Sequence, residues 1–189
     1  MDRQPFQPPY PAEQETASIG NLERIVGALP ERERSLFERL FSIVVTEGAL
    51  SPPTAMHSWI ENSFDSVDSV RAQRIVRVTN LITLEESIFN PLRSSRPIRG
   101  TRDIDLDAEI GQGIGGPLCT PLEGTPEDIF GRVSGACCIT GSNVAKYEGF
   151  HSLVIFDEHH PLHFSRERII DYLDTGLRCN KGCNARSVP

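Results

Sequence analysis

Cys137-Cys-Ile-Thr140, Gly141-Ser-Asn-Val-Ala-Lys-Tyr-Glu-Gly149 and Leu153-Val-Ile-Phe156 decide the fold of the second half of this chain. Two short apolar runs flank a polar segment that closes on glycine, which is the pattern of two buried strands and their connection. Val133 opens the first run. After Pro161, Ser165 stands as a helix N-cap with Glu167 in the first turn, and Ile169, Ile170, Leu173 and Leu177 recur along one helical face. Strand, loop, strand and helix therefore occupy residues 129–178, and 179–189 read as an irregular tail.

Upstream the texture is helical. Ser18 is placed to cap a helix carrying Leu22, Ile25, Val26 and Leu29, and Pro30 suits the first turn of the next one. In that next helix Leu36, Phe37, Leu40, Phe41, Val44 and Val45 form an apolar stripe against Glu31, Arg32, Glu33, Arg34, Glu38 and Arg39, with Gly48 as the residue that ends it. Ser51-Pro-Pro53 then starts a short helix holding Met56, Trp59 and Ile60, so 18–62 reads as a helical region. Arg74-Ile-Val-Arg-Val-Thr-Asn80 alternates charged with β-branched residues, and Ser87-Ile-Phe-Asn-Pro-Leu92 returns as its antiparallel partner. The region 63–100 is thus a hairpin, with a helix over 66–90 as the competing reading.

Residues 101–128 read as a linker. Gly111, Gly113, Gly115 and Gly116 do not form a dinucleotide fingerprint, because an acidic segment precedes them and Pro117 follows. Residues 1–17, rich in Pro, Gln and Glu, read as a disordered leader. The expected class is α+β: N-terminal helices, a β-hairpin, then an antiparallel half-sheet with a C-terminal helix.

The 189 residues carry a formal net charge of −7, which argues against a nonspecific nucleic-acid binder, since that needs a basic face. No apolar run is long enough for a membrane span, and Met1 to Pro11 shows no apolar export signal, so the sequence is read as cytoplasmic. The five cysteines, at 119, 137, 138, 179 and 183, are then read as reduced thiols or as a partial metal set.

Two constellations carry chemistry. His151, His159, His160 and His163 cluster between the second strand and the last helix, where imidazoles bind metal or move protons unless they are simply solvated. With Cys119 they suggest a zinc site, although no complete tetrad is present. Cys179-x3-Cys183 is too widely spaced for a zinc knuckle. Arg132, Asn143 and Lys146 flank the first strand, and Lys146 is one of only two lysines. An amide suits a ribose or base edge and a lysine suits phosphate, while ordinary turn chemistry is the alternative.

Taken together, Pro117-Leu-Cys119, Thr125-Pro-Glu-Asp128, Phe130-Gly-Arg132, Ser142-Asn143, Lys146-Tyr147, Gly149, His151-Ser-Leu-Val-Ile-Phe156 and Glu158-His159 resemble the N-terminal half of galactose-1-phosphate uridylyltransferase-like proteins of the histidine-triad superfamily. Thr83-Leu-Glu85 and Phe89-Asn-Pro-Leu-Arg93 resemble the leader of prokaryotic members. The resemblance implies a nucleotidyltransferase that moves a nucleoside monophosphate between sugar or nucleoside phosphates through a nucleotidyl-histidine. It places Arg132, Asn143 and Lys146 against a nucleotide or nucleotide-sugar, and Cys119 and His159 on a structural zinc. Gly116 stands where the family has another cysteine.

The family's His-x-His-x-His nucleophile segment does not occur in the 189 residues, so no catalytic residue is assigned and transfer by this chain alone is not expected. Truncation or a frameshift would account for that. The resemblance makes the half-sheet histidine-triad-like and incomplete, with an open edge suited to a second copy or to a partner chain that completes it. The alternative is a non-catalytic module that binds a nucleotide or metal and docks onto a partner.

Overall fold

Ile43-Val-Val-Thr46 places four β-branched residues in succession, and such residues lose χ1 freedom in a helix but pack well on a pleated sheet. In the computed structural model, which describes residues 18–94 and 105–184, Phe41–Ser51 is accordingly strand β1. This corrects the helix expected to run to Gly48. The helical part ends earlier, with α1 at Leu22–Gly27 and α2 at Glu31–Glu38. Leu36, Phe37, Leu40 and Phe41 satisfy helical spacing, yet the chain turns at Arg39 and Leu40 and the stripe continues as strand. Gly48 is a mid-strand residue rather than a helix terminus.

Beyond β1, a 3-10 turn and α3 (His57–Ser63) hold Met56 and Ile60 in the core; the helix expected after Ser51-Pro-Pro53 is present, but Ser51 ends β1 and Pro53, not Ser51, stands at the N-cap. Ser66 caps α4 (Val67–Arg71) in a reciprocal box with Ser69. The hairpin strands follow as β2 (Ala72–Asn80) and β3 (Glu86–Phe89), in place of a helix over that region. β1 pairs antiparallel with β2 from Phe41↔Asn80 to Ala49↔Ala72, and β2 pairs with β3 from Val76↔Phe89 to Thr79↔Glu86. Pro91, which cannot donate to a ladder, opens the short helix α5 (Pro91–Ser94).

The expected linker contains structure of its own: α6 (Leu106–Gln112), α7 (Pro121–Gly124) and the two-residue strand β4 (Glu127–Asp128). β4 pairs with the end of β1, which completes a four-stranded sheet of order β3-β2-β1-β4. β5 (Cys138–Ser142) and β6 (Ser152–Phe156) form a separate two-stranded antiparallel sheet, joined to β4 where Ser142 N–H donates to the Pro126 carbonyl at 2.8 Å.

The main core joins the first half of the chain to the β5–β6 loop. Leu50, Met56, Ile60, Phe64, Val70 and Leu92 pack with Val144 and Ala145 from the β5–β6 loop. The chain is therefore α+β with an antiparallel four-stranded sheet, a two-stranded sheet and a C-terminal helix.

The last helix, α8, spans Arg166–Asn184. It takes up much of the tail expected to be irregular, because Tyr172, Thr175 and Cys179 bury at helical spacing and carry the helix past Arg178. Asp171 anchors it: its carboxylate accepts from Ala136 N–H at 2.9 Å and Cys137 N–H at 2.8 Å, and these two bonds hold the acid below its usual range. No helix among the described residues is long and apolar enough to cross a membrane. The leader 1–17, residues 95–104 and the final residues 185–189 lie outside the described residues.

Candidate functional site

An open cleft of about 1380 Å³ lies between the two-stranded sheet and the segment that runs from α6 to α7. Ile139, Leu153, Ile155 and Phe156 supply its apolar sheet wall, and Pro117, Leu118 and Cys119 face them. Glu109, Asp157 and Glu158 are its carboxylates.

At this cleft the fold brings Cys119 and His159 together across 40 residues, with Cys119 Sγ 3.2 Å from His159 Nδ1. Each side is positioned by backbone. The turn 116–119 closes through Cys119 N–H donating to the Gly116 carbonyl at 2.8 Å. The imidazole Nε2–H donates to the Ile110 carbonyl at 2.7 Å, which turns Nδ1 toward the thiol. A carbonyl on the far nitrogen is the usual way to orient a ligating histidine.

The electrostatics follow from the same bonds. The Gly115 backbone first, and His159 second, lower the Cys119 pKa. The Ile110 carbonyl first, and the Cys119 sulfur second, raise that of His159. Each shift favours the charged form of its own group, the thiolate of Cys119 and the imidazolium of His159. In chelator-treated protein, Cys119 is expected to react with iodoacetamide at lower pH than an ordinary thiol. His159→Ala should move that inflection upward, and an unmoved pH–rate profile would show that the contact does not tune the thiol.

The other expected site residues lie elsewhere, and none of them lines the cleft. Arg132 clasps the fold: Nη1 donates to Thr140 O at 2.8 Å and Thr125 Oγ1 at 3.1 Å, and Nη2 donates to the Pro121 and Thr125 carbonyls. Burial lowers its pKa, against the attraction of Glu127 and Asp128. Asn143 makes a local turn, accepting from Ala145 N–H at 3.2 Å, while Nδ2 stands 3.4 Å from His151 Nε2.

Lys146 is 0% exposed. Its Nζ donates to Asp128 Oδ1 at 2.8 Å, Ser142 Oγ donates to the same oxygen at 2.9 Å, and Ser152 Oγ donates to Oδ2. Its aliphatic stem crosses β1 at Gly48, where a Cβ would stand 2.7 Å from Lys146 Cδ. The glycine is there because the lysine passes over it. Asp128, which sequence reasoning passed over, organises this centre through contacts that only the tertiary fold creates.

His151 stacks on Tyr147 and accepts from Tyr147 N–H through Nδ1, while His160 stacks on His163 with ring centroids 3.9 Å apart. Of the four clustered histidines, His159 is the one that lines the cleft. Cys179 is buried on α8.

Zinc, which the resemblance implies, would have two of its usual four ligands in Cys119 and His159. The thiol and imidazole meet at a separation near the roughly 3.5 Å that two tetrahedral zinc ligands span. Among the described residues no group of three or more His, Cys, Asp or Glu is placed to hold a metal ion. No protein-family model, no curated protein and no solved structure matches the chain.

Proposed function

We propose that this chain is the nucleotide- and metal-handling half of a histidine-triad-type nucleotidyltransferase, inactive in transfer by itself. The observation that carries the reading is the meeting of Cys119 and His159 at 3.2 Å, since the resemblance assigns these two residues to one metal. Bound there, zinc would tie the α6–α7 segment to the loop after β6 and so fix the width of the cleft. Ile139 and Leu153, on one face of the two-stranded sheet, offer an apolar surface to a nucleotide base. Arg132, Asn143 and Lys146 then act by holding the strands that form this wall, and Arg132 also binds the Pro121 carbonyl at the edge of α7. With no His-x-His-x-His segment in the sequence, no covalent nucleotidyl-protein is assigned to the chain.

A second reading, a non-catalytic binding module, is favoured by one observation: among the described residues, the charged groups of the cleft wall include Glu109, Asp157 and Glu158 but no arginine or lysine. Phosphate recognition ordinarily uses cations, so this rim suits a metal better than a free nucleotide.

Calorimetric titration separates the two readings. Under the first, zinc-loaded chain takes up UMP or AMP, and Cys119→Ser with His159→Ala weakens zinc binding on the order of 10-fold or more. Zinc uptake without nucleotide uptake favours the module. Failure of the double variant to change zinc affinity removes the metal assignment. Incubation with UDP-glucose, or with ATP and a sugar phosphate, is expected to give no transfer and no acid-labile nucleotidyl-protein.

A further inference from the structure

Cys119 and His159 make half of a tetrahedral metal shell. Sγ and Nδ1 stand 3.2 Å apart, and the imidazole is held in place by two contacts. Nε2–H donates to the Ile110 carbonyl, and Gly113 lies against the ring, where a Cβ would stand 3.4 Å from His159 Cε1. Zinc in a structural site takes four donors, and among the described residues no third His, Cys, Asp or Glu joins these two. A single thiolate also leaves the ion with a net positive charge. The missing half is therefore two donors, one of them anionic.

A second copy of the chain carries that half already preset at ligand spacing. Both members of the pair are exposed, so the donors can be reached from outside. Beside Cys119, Leu118 is 55% exposed, and Leu162, in the turn that follows His159, is 65% exposed. Aliphatic side chains left in water next to two ligands suit a contact that closes over the ion. The neighbouring carboxylates are largely balanced within the chain. Arg168 binds Asp157, and Glu158 accepts from His160 N–H at 3.1 Å with Arg168 and His163 also near it. Glu109 on α6 is exposed and long enough to turn to water.

We propose that one zinc ion on a two-fold axis joins two copies of this chain, each supplying Cys119 Sγ and His159 Nδ1. The inference rests on the metal reading of this pair and adds to it the source of the other two ligands. Two thiolates balance the dication, and two imidazoles complete the four-coordinate set. The assembly is isologous and closed, so it makes dimers rather than filaments. Metal binding and self-association are then one linked equilibrium, each strengthening the other.

Zinc titration of the full, reduced, chelator-treated chain tests this, with mass followed by sedimentation. The metal-free chain is expected at 21.0 kDa and should move to twice that mass, saturating at one zinc per two chains and reversing with EDTA. Cobalt(II) in place of zinc should give the visible bands of a tetrahedral ion with thiolate charge transfer, complete at the same stoichiometry. Cys119→Ser and His159→Ala should each abolish metal-linked pairing at micromolar chain. Both should leave the melting temperature of the metal-free chain nearly unchanged, since both side chains are exposed. Uptake of one zinc per chain at monomer mass overturns the bridge and leaves the metal assignment standing. No zinc uptake at all overturns both. A dimer that forms equally with chelator present overturns the bridge as well, as does a zinc-linked dimer that survives both substitutions.

Discussion

Asp128→Ala is expected to lower the unfolding free energy by about 3–5 kcal/mol, because it leaves a wholly buried ammonium without its counter-charge. Ordinary domains are stable by only about 5–15 kcal/mol, so the loss is severe. In a chain of this length it corresponds to a fall in melting temperature on the order of 10 °C. Ser142 and Ser152 lose their acceptor at the same time, which adds to the cost. Replacing both members, Asp128→Leu with Lys146→Met, should cost much less than Asp128→Ala, since an apolar pair of similar volume leaves no charge to solvate. Urea denaturation followed by circular dichroism would measure both. A single-variant loss under about 1 kcal/mol would mean that water reaches Lys146 and the pair is not buried.

Gly124→Ala is expected to disturb the cleft more than any exposed change in its wall. A Cβ at this position would stand 2.4 Å from Pro117 O and 2.5 Å from Pro117 Cα. These are backbone atoms, which cannot swing aside as the end of a long side chain can. The 117–124 turn must open, at about 1–3 kcal/mol or more. Cys119 lies inside that turn, so the variant should also separate it from His159, and its alkylation profile should move toward that of His159→Ala. Gly27→Ala is the control: a Cβ there meets nothing within 4 Å at the end of α1 and should leave stability within about 0.5 kcal/mol. Equal effects at the two glycines would show that the crowding at Pro117 is not real.

The parts of the fold legible in the sequence are those fixed by short-range pattern. Cys138 to Ser142 and Ser152 to Phe156 are strands because apolar runs bounded by glycine and polar turns admit little else. The hairpin of β2 and β3 was readable from its alternation in the same way.

β1 was misread because Leu36 to Val45 fits a helical stripe and that pattern was followed past the β-branched run Ile43 to Thr46, which with pairing to β2 and β4 makes the segment a strand. The extent of α8 was hidden for a related reason: Thr175 and Cys179 are weak apolar signals that become anchors once the two-stranded sheet lies beneath them.

Within the candidate site, the meeting of Cys119 and His159 was expected only from the resemblance, not from spacing in the sequence. The burial of Lys146 was not, since a lysine between Ala145 and Tyr147 reads as a solvated turn until Asp128 is brought beneath it. A stripe such as Ile170, Leu173 and Leu177 shows in sequence that a helix has an apolar face, but not which neighbour the face meets.

The placing of Val144 and Ala145 in the core of Leu50, Met56, Ile60, Phe64, Val70 and Leu92 has a thermodynamic consequence. Residues from beyond the β5 strand complete a core otherwise built from the first half of the chain. Gln73 and Asn90 reinforce the seam: Gln73 Nε2 donates to the Val144 carbonyl at 2.7 Å, and Asn90 Nδ2 donates to the Lys146 carbonyl at 2.8 Å. Release of the β5–β6 loop therefore strips apolar surface and hydrogen bonds from the first half of the chain, which couples the stability of that loop to the core beneath it.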